Sequence, residues 1–433
     1  MTGPTLDDSA LKAGRRSSVI FLTDRIPREA GDGSERRAFQ SVVALAAQHH
    51  VYAMIVGGKP DEAAFAALAA IEGVASVRYL NGGYFYPPWY APFLLPLARF
   101  GRPWRRLCEW VLIYRLGALR AVFGQALPDA PIERVHVLKL VLCSLGAFAA
   151  SRYDCQLDID LDDWESAARW SIARLFWRRG RMRDALEYTY TALECRVLED
   201  LCLPGAGKIY VAAPEDAVSL SRRYPQLTPI LMPNRLSGEV TPIPCAPVSY
   251  AASGVFNLLF VGGLNYFPNE DAALFLAEEI NTALQSVLGR PFRITICGRE
   301  PPPHLVERLK ARPNVDVFGD VESLAPHYQA AHAAVIPLRG GGGTKYKLIE
   351  AFQYGKPVIS TAEGVRGMKM RDGVHFLAAH TAAEFAAACR RLIDDPALAQ
   401  RLCDNGRRLM YEEGLLVNTI TSSDHDLAHA MIR

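Results

Sequence analysis

Long hydrophobic runs are missing from this 433-residue chain. No segment reaches the ~18 uninterrupted apolar residues that a membrane-spanning helix needs. The nearest, Val135–Ala150, is broken by His136 and Lys139. Arg15-Arg16 precedes the apolar residues Val19–Leu22, but that run is too short for an export signal and fits a first buried strand better. An excess of one charge is also missing: 48 basic and 46 acidic residues leave a formal net charge of +2. Neither a polyanion-coating surface nor an acidic tail is implied. Cysteine is sparse, odd in number and scattered, nine in all, with no Cys-x-x-Cys set against a second Cys or His cluster. Neither a zinc site nor a disulfide framework is supported, and reduced core thiols in a cytoplasmic protein are expected. Fixed-period repeats and low-complexity tracts are absent as well.

What is present reads as two domains, because single cores rarely grow past ~250–300 residues. In the first half Val19–Leu22, Val51–Val56, Val77–Leu80, Val135–Leu138, Gln156–Ile159, Lys208–Ala212 and Ile230–Met232 read as buried strands, separated by amphipathic stretches such as Ala38–Gln48. Thr241–Val248, with three prolines in eight residues, reads as a linker, placed at about 241–250. A second alternating unit follows, with strands at Asn257–Val261, Ile294–Cys297, Val315–Phe318, Ala333–Ile336, Val358–Thr361 and Val374–Leu377. Helices are expected at 382–395, 397–413 and in the tail. The expected architecture is α/β: two doubly wound, Rossmann-like domains (1–248 and 249–410) facing each other across a cleft, with a C-terminal helix (411–433) returning to the first.

The stretch Arg339–Thr361 carries the most chemistry. Four glycines, Gly340 to Gly343, leave a strand and run directly into a helix, with Thr344 as its expected N-cap and Gly355 as its stop. Bare backbone feeding a helix N-terminus makes an anion site, since the amides point outward and the macrodipole adds about half a positive charge. Lys347 and Glu350, three apart, project from one side of that helix. The first suits a diphosphate, and the second lies where a ribose diol would sit. The same pattern also makes ordinary tight turns and surface Lys/Glu pairs.

The string Gly341-Gly342-Gly343-Thr344, Lys347, Leu348-Ile349, Glu350-Ala351, Gly355-Lys356-Pro357-Val358 resembles the donor-binding segment of GT-B glycosyltransferases, in particular the family 4 (glycosyl transferases group 1) retaining enzymes. It departs from them at Gly342, where many members carry a glutamate that helps to hold the donor sugar. The resemblance implies Lys347 and Glu350 as catalytic residues. It implies Gly262, Gly263, Arg299, Arg339, Gly341, Gly342, Gly343, Thr344 and Lys345 as donor-binding ones. Asn269 is placed to cap the helix after Gly262-Gly263. On the acceptor side it implies Gly33 and Arg36 (or Arg37) in the loop after the first strand, His136, and Asp160 or Asp163. The donor expected is a nucleoside diphosphate sugar, UDP- or GDP-linked, with no further cofactor and no metal.

Asp158–Glu165 invites a metal assignment, but a calcium loop fails because Asp163 stands at the turn glycine and Arg169 at the bidentate glutamate. Two segments, 94–124 and 169–183, hold six arginines each with interspersed tryptophan, and only Glu109 opposes them. They fit an anionic membrane surface, on the inner face, better than nucleic acid, for which no recognition module accompanies them. Plain solvated helix faces remain an alternative. The acceptor, a lipid-linked glycan, a small molecule or a protein, is left open. So are two alternatives to transfer: a nucleotide-sugar epimerase of the same fold, and a catalytically silent scaffold.

Overall fold

The structure is a computed structural model describing residues 16–57, 59–80, 123–237, 254–342 and 345–417. The linker expected at 241–250, segment 94–122, Gly343, Thr344 and the tail beyond 417 lie outside the described residues.

In the first domain, strands β1 (Ser17–Thr23), β2 (His49–Val56), β3 (Val74–Leu80), β4 (Arg134–Leu138), β5 (Gln156–Asp162), β6 (Ile209–Val211) and β7 (Ile230–Leu231) form one sheet in the order β3-β2-β1-β4-β5-β6-β7. All its pairings are parallel. A parallel sheet is covered on both faces, so its strands are apolar throughout, and Val19 to Leu22 are completely buried. Its helices are α1 (Gly33–Ala46), α2 (Glu62–Ala69), α3 (Cys143–Tyr153), α4 (Glu165–Arg178), α5 (Met182–Cys202) and α6 (Pro214–Arg223). A reciprocal box fixes the start of α1: Asp32 accepts from the Ser34 and Glu35 amides, and Glu35 accepts from the Asp32 amide. A short strand β8 (Leu236–Ser237) follows.

The second sheet contains β9 (Phe256–Val261), β10 (Phe292–Gly298), β11 (Val315–Gly319), β12 (Ala333–Ile336), β13 (Val358–Ser360) and β14 (Leu377–Ala378), in the parallel order β11-β10-β9-β12-β13-β14. Its helices are α7 (Phe267–Leu274), running through a π-helical segment (Phe275–Ile280) into α8 (Asn281–Leu288), then α9 (Pro303–Lys310), α10 (Ala325–Ala330), α11 (Tyr346–Gln353), α12 (Ala382–Asp394) and α13 (Pro396–Glu412). Gly355, at φ 64°, stops α11 as expected.

Every expected strand is present. Only β14 is clearly displaced, from 374–377 to Leu377–Ala378, because Val374 and His375 turn back to donate to the Arg371 carbonyl. Over the described residues after α13, Gly414 adopts φ 62° and β15 (Leu416–Val417) pairs with β8.

The two domains are packed together. Phe176 of α4 stacks on Phe267 of α7, the ring planes 7° apart, within a small apolar cluster with Ile172, Leu175 and Ala185. Arg366 pairs with Asp216 across the same boundary, 2.5 Å apart.

Candidate functional site

Strand order reverses between β1 and β4 in one sheet and between β9 and β12 in the other. Open α/β sheets leave a crevice beside such a reversal, at the carboxyl ends of the strands. Here the two crevices merge into one cavity of about 1510 Å³. It is lined by the loop after β1, Lys139 after β4, Gly262-Gly263 after β9, Gly340 to Gly342 after β12, and Lys347 and Glu350 on α11.

The second-domain wall is built around Lys347. Its Nζ donates to Asn269 Oδ1 at 2.5 Å and sits 4.8 Å above the Phe260 ring. Asn269 Nδ2 in turn donates to the Gly263 carbonyl at 2.9 Å. Asn269 is therefore not the expected cap; α7 begins two residues earlier, and Asn269 ties the glycine loop to the lysine. A Cβ on Gly262 would stand 2.8 Å from Lys347 Nζ, so only glycine lets the amine reach this place. Burial and the Lys345 charge push the Lys347 amine down to about 7, with Glu350 opposing. Gly341 requires its missing side chain for another reason: it holds φ 123°. Its amide donates to Ser171 Oγ of α4 at 3.2 Å. Lys345 is buried, donates to the Gly342 carbonyl and lies 3.6 Å from Glu363, so its charge braces the loop from behind.

Opposite lies the first domain. Gly33 packs its bare backbone against Tyr346, where a Cβ would stand 3.2 Å from the ring. Arg36 extends over Tyr346 and donates to Glu350 Oε1 at 3.0 Å. Arg299 is half-exposed at the cleft mouth, 3.8 Å from Glu35 Oε2. Strand β5 explains its own acidic run. Asp158, Asp160 and Asp162 alternate onto one face and each meets a cation: Arg134 at 2.5 Å, Arg37 at 2.7 Å and Lys139 at 2.9 Å. A register shift between Asp160 and Asp162 and a left-handed backbone at Asp162 (φ 59°) end that alternation. Asp163 is then turned into the cavity beside Gly342. Burial and neighbouring Asp162 push its carboxyl up to about 6.

Three expected residues lie away from the cavity. Asp160 is completely buried and clamped by Arg37, which also donates to the Met232 carbonyl and Asn234. His136 is buried between Phe21 and Tyr210, with no hydrogen bond at either ring nitrogen among the described residues. Arg339 lies on the Phe275 ring and donates twice to Asp271, which it shares with Arg179 of the first domain. Gly343 and Thr344 lie outside the described residues, and α11 begins at Tyr346 with Lys345 as the preceding residue. Sequence reasoning missed Asn269, Tyr346 and Lys139 as cleft residues. Lys139 had left a signal, a cation interrupting an apolar run at a strand end, and it holds a left-handed backbone (φ 83°) there.

Two doubly wound domains with a shared cleft at their switch points define the fold, which is GT-B. Solved structures of this fold cover the chain almost end to end. Sucrose-phosphate synthase from Thermosynechococcus elongatus matches with a TM-score of 0.58 at 19% identity, over 96% of this chain and 97% of that one. HepE of Anabaena, in complex with UDP and glucose, matches with a TM-score of 0.58 at 12% identity, over 96% and 99%. The α,α-trehalose 6-phosphate synthase of Burkholderia multivorans gives 0.58 at 13% identity, over 96% and 97%. Residues 255–395, within the second domain, match the family model described as glycosyl transferases group 1. No curated protein matches the sequence.

Proposed function

We propose that the protein transfers a hexose-type sugar from a nucleoside diphosphate, UDP or GDP, to an acceptor hydroxyl. Retention at the anomeric carbon and independence of metal belong to the same reading. The observation that carries it is the convergence of Lys347 and two glycine loops at one end of the cleft, with Glu350 one turn along α11. A diphosphate there would meet a cation and bare backbone, and the ribose diol would meet a carboxylate. As the glycosidic bond loosens, negative charge grows on the leaving phosphate and positive charge on the sugar. Lys347 offsets the former, and Glu350 keeps the nucleotide in register. The UDP and glucose held by the Anabaena structure support a nucleotide-sugar donor here.

The reading places the reaction on an anionic membrane surface, at its cytoplasmic face, in the assembly of surface glycan, exopolysaccharide or glycoconjugate on a lipid-linked acceptor. The α4–α5 hairpin supports this: Trp170, Trp177, Met182 and Leu186 are exposed, Trp177 to 61%, among the exposed Arg174, Arg178 and Arg183, which have no ion pair among the described residues. Among the described residues no helix is long and apolar enough to cross a membrane.

Labelled UDP- and GDP-sugars, incubated with and without an acceptor extract and a chelator, test the reading. Nucleoside diphosphate release that needs the extract and survives the chelator is expected, with the product keeping the donor's anomeric configuration. Sugar isomerisation without acceptor would mean an epimerase, and complete inertness a binding scaffold. Either result overturns the proposal.

A further inference from the structure

Gly342 is not glycine for the sake of its backbone, because its φ lies outside the left-handed region. It is glycine because Asp163, from the other domain, fills the space. A Cβ at position 342 would lie 2.7 Å from Asp163 Oδ2 and 2.8 Å from its Cγ, with the Ala168 methyl at 3.0 Å. The carboxylate thus stands where a side chain on the glycine loop would stand, one residue from the Gly341 turn.

Asp163 is also uncommitted. Around it most cleft carboxylates are spent on protein partners: Glu350 on Arg36, Asp162 on Lys139, Glu165 on the Leu140 amide, and Glu35 on Arg28 and the Asp32 amide; buried Asp24 lies 3.9 Å from Arg25, its Oδ1 without a hydrogen bond among the described residues. Among the described cleft residues, Asp163 is a half-buried carboxylate without a hydrogen bond or ion pair of its own; Glu322, also unpaired, is exposed. A carboxylate in that state gains from any hydroxyl that donates to it, and its two oxygens can accept from two at once.

We propose that Asp163 accepts hydrogen bonds from hydroxyls of the donor sugar, so that the first domain supplies the sugar-binding carboxylate that the glycine loop lacks at position 342. The sugar subsite is then completed only with the two domains together, as they are here. This inference rests on the nucleotide-sugar reading above, and it separates from that reading because the nucleoside diphosphate alone makes no use of Asp163.

Calorimetry on the full chain with UDP, UDP-glucose, GDP and GDP-mannose tests it. In D163N the affinity for the nucleoside diphosphate should stay within about twofold, while that for its sugar conjugate falls about tenfold or more, the loss expected of hydrogen bonds to a charged group. G342E alone should be impaired, since two carboxylates then compete for one place. The double variant D163A/G342E should recover sugar discrimination, which a purely structural role for Asp163 does not predict. Unchanged sugar affinity in D163N overturns the inference. So does an equal loss for nucleotide and conjugate, or no recovery in a double variant that melts like the wild type. If the wild-type protein binds none of the four, the nucleotide reading itself fails and the inference falls with it.

Discussion

Arg36 Nη1, at the start of α1, donates to Glu350 Oε1 on α11 across 3.0 Å, joining residues 314 positions apart in the chain. The pair closes one wall of the cleft and leaves Glu350 one oxygen for a ligand. Glu350→Ala should weaken nucleoside diphosphate binding by about 2 kcal/mol, the value of hydrogen bonds to a charged acceptor. Titration calorimetry with UDP and GDP checks it, and wild-type affinity in the variant would remove the ribose assignment.

Lys347 predicts a pH dependence with a definite sign. Burial and the Lys345 charge push its amine down to about 7, and a bound diphosphate favours the charged form. Binding above pH 7 should therefore take up protons and weaken as pH rises, visible as buffer-dependent calorimetric heats. Because the folded-state value lies below the ordinary 10.5, the unfolded chain binds more protons between about pH 7 and 10.5, so stability should rise across that window. Lys347→Met should abolish turnover yet raise the melting temperature at pH 7. A destabilised Met variant would show that the amine is not held at the cost inferred from its burial.

Asp160 belongs to stability. Both it and Arg37 are completely buried, and removing one partner of such a pair strands the other charge. Asp160→Ala should cost about 3–5 kcal/mol in urea unfolding. A variant as stable as the wild type but without activity would return Asp160 to the active site.

His136 makes the opposite prediction. Burial pushes its imidazole down to about 4, as it does for His332. Both stay neutral in the folded state while the unfolded chain protonates near 6.5. Their contribution is fully present above pH 6.5 and is lost as pH falls toward 4. His136→Phe removes two unpartnered ring nitrogens, so it should preserve activity and flatten the loss of stability over that range. Urea titrations at pH 7 and pH 5 decide, and a wild-type slope refutes it.

The arginines of segment 169–183 divide in two. Arg169, Arg179 and Arg181 pair with Glu165, Asp271 and Asp184, whereas Arg174, Arg178 and Arg183 are exposed and have no ion pair among the described residues. Replacing the second trio with Gln should release the protein from phosphatidylglycerol vesicles without altering its melting temperature. Retained binding in flotation would end the membrane reading.

How much of this was legible beforehand follows from the range of each interaction. Strand positions were readable because a parallel sheet buries both faces, leaving short apolar runs such as Val19–Leu22 bounded by polar turns. The glycine loop and the Lys347–Glu350 spacing were readable because backbone freedom and helix geometry are local. The partners of Asp160, Arg339 and His136 were not, since Arg37, Asp271 and Tyr210 stand far away in sequence. Asn269 looked like a helix cap, and only the fold showed its amide bridging Gly263 and Lys347.

Local chemistry in the sequence determined two wound sheets and the glycine loop that leads into the helix of Lys347 and Glu350. The tertiary structure alone decided which charges are spent and which remain available. A buried charge is neutralised by whatever the fold brings within hydrogen-bond reach, and among the described residues it brings no such partner to the Asp163 side chain, which faces Gly342.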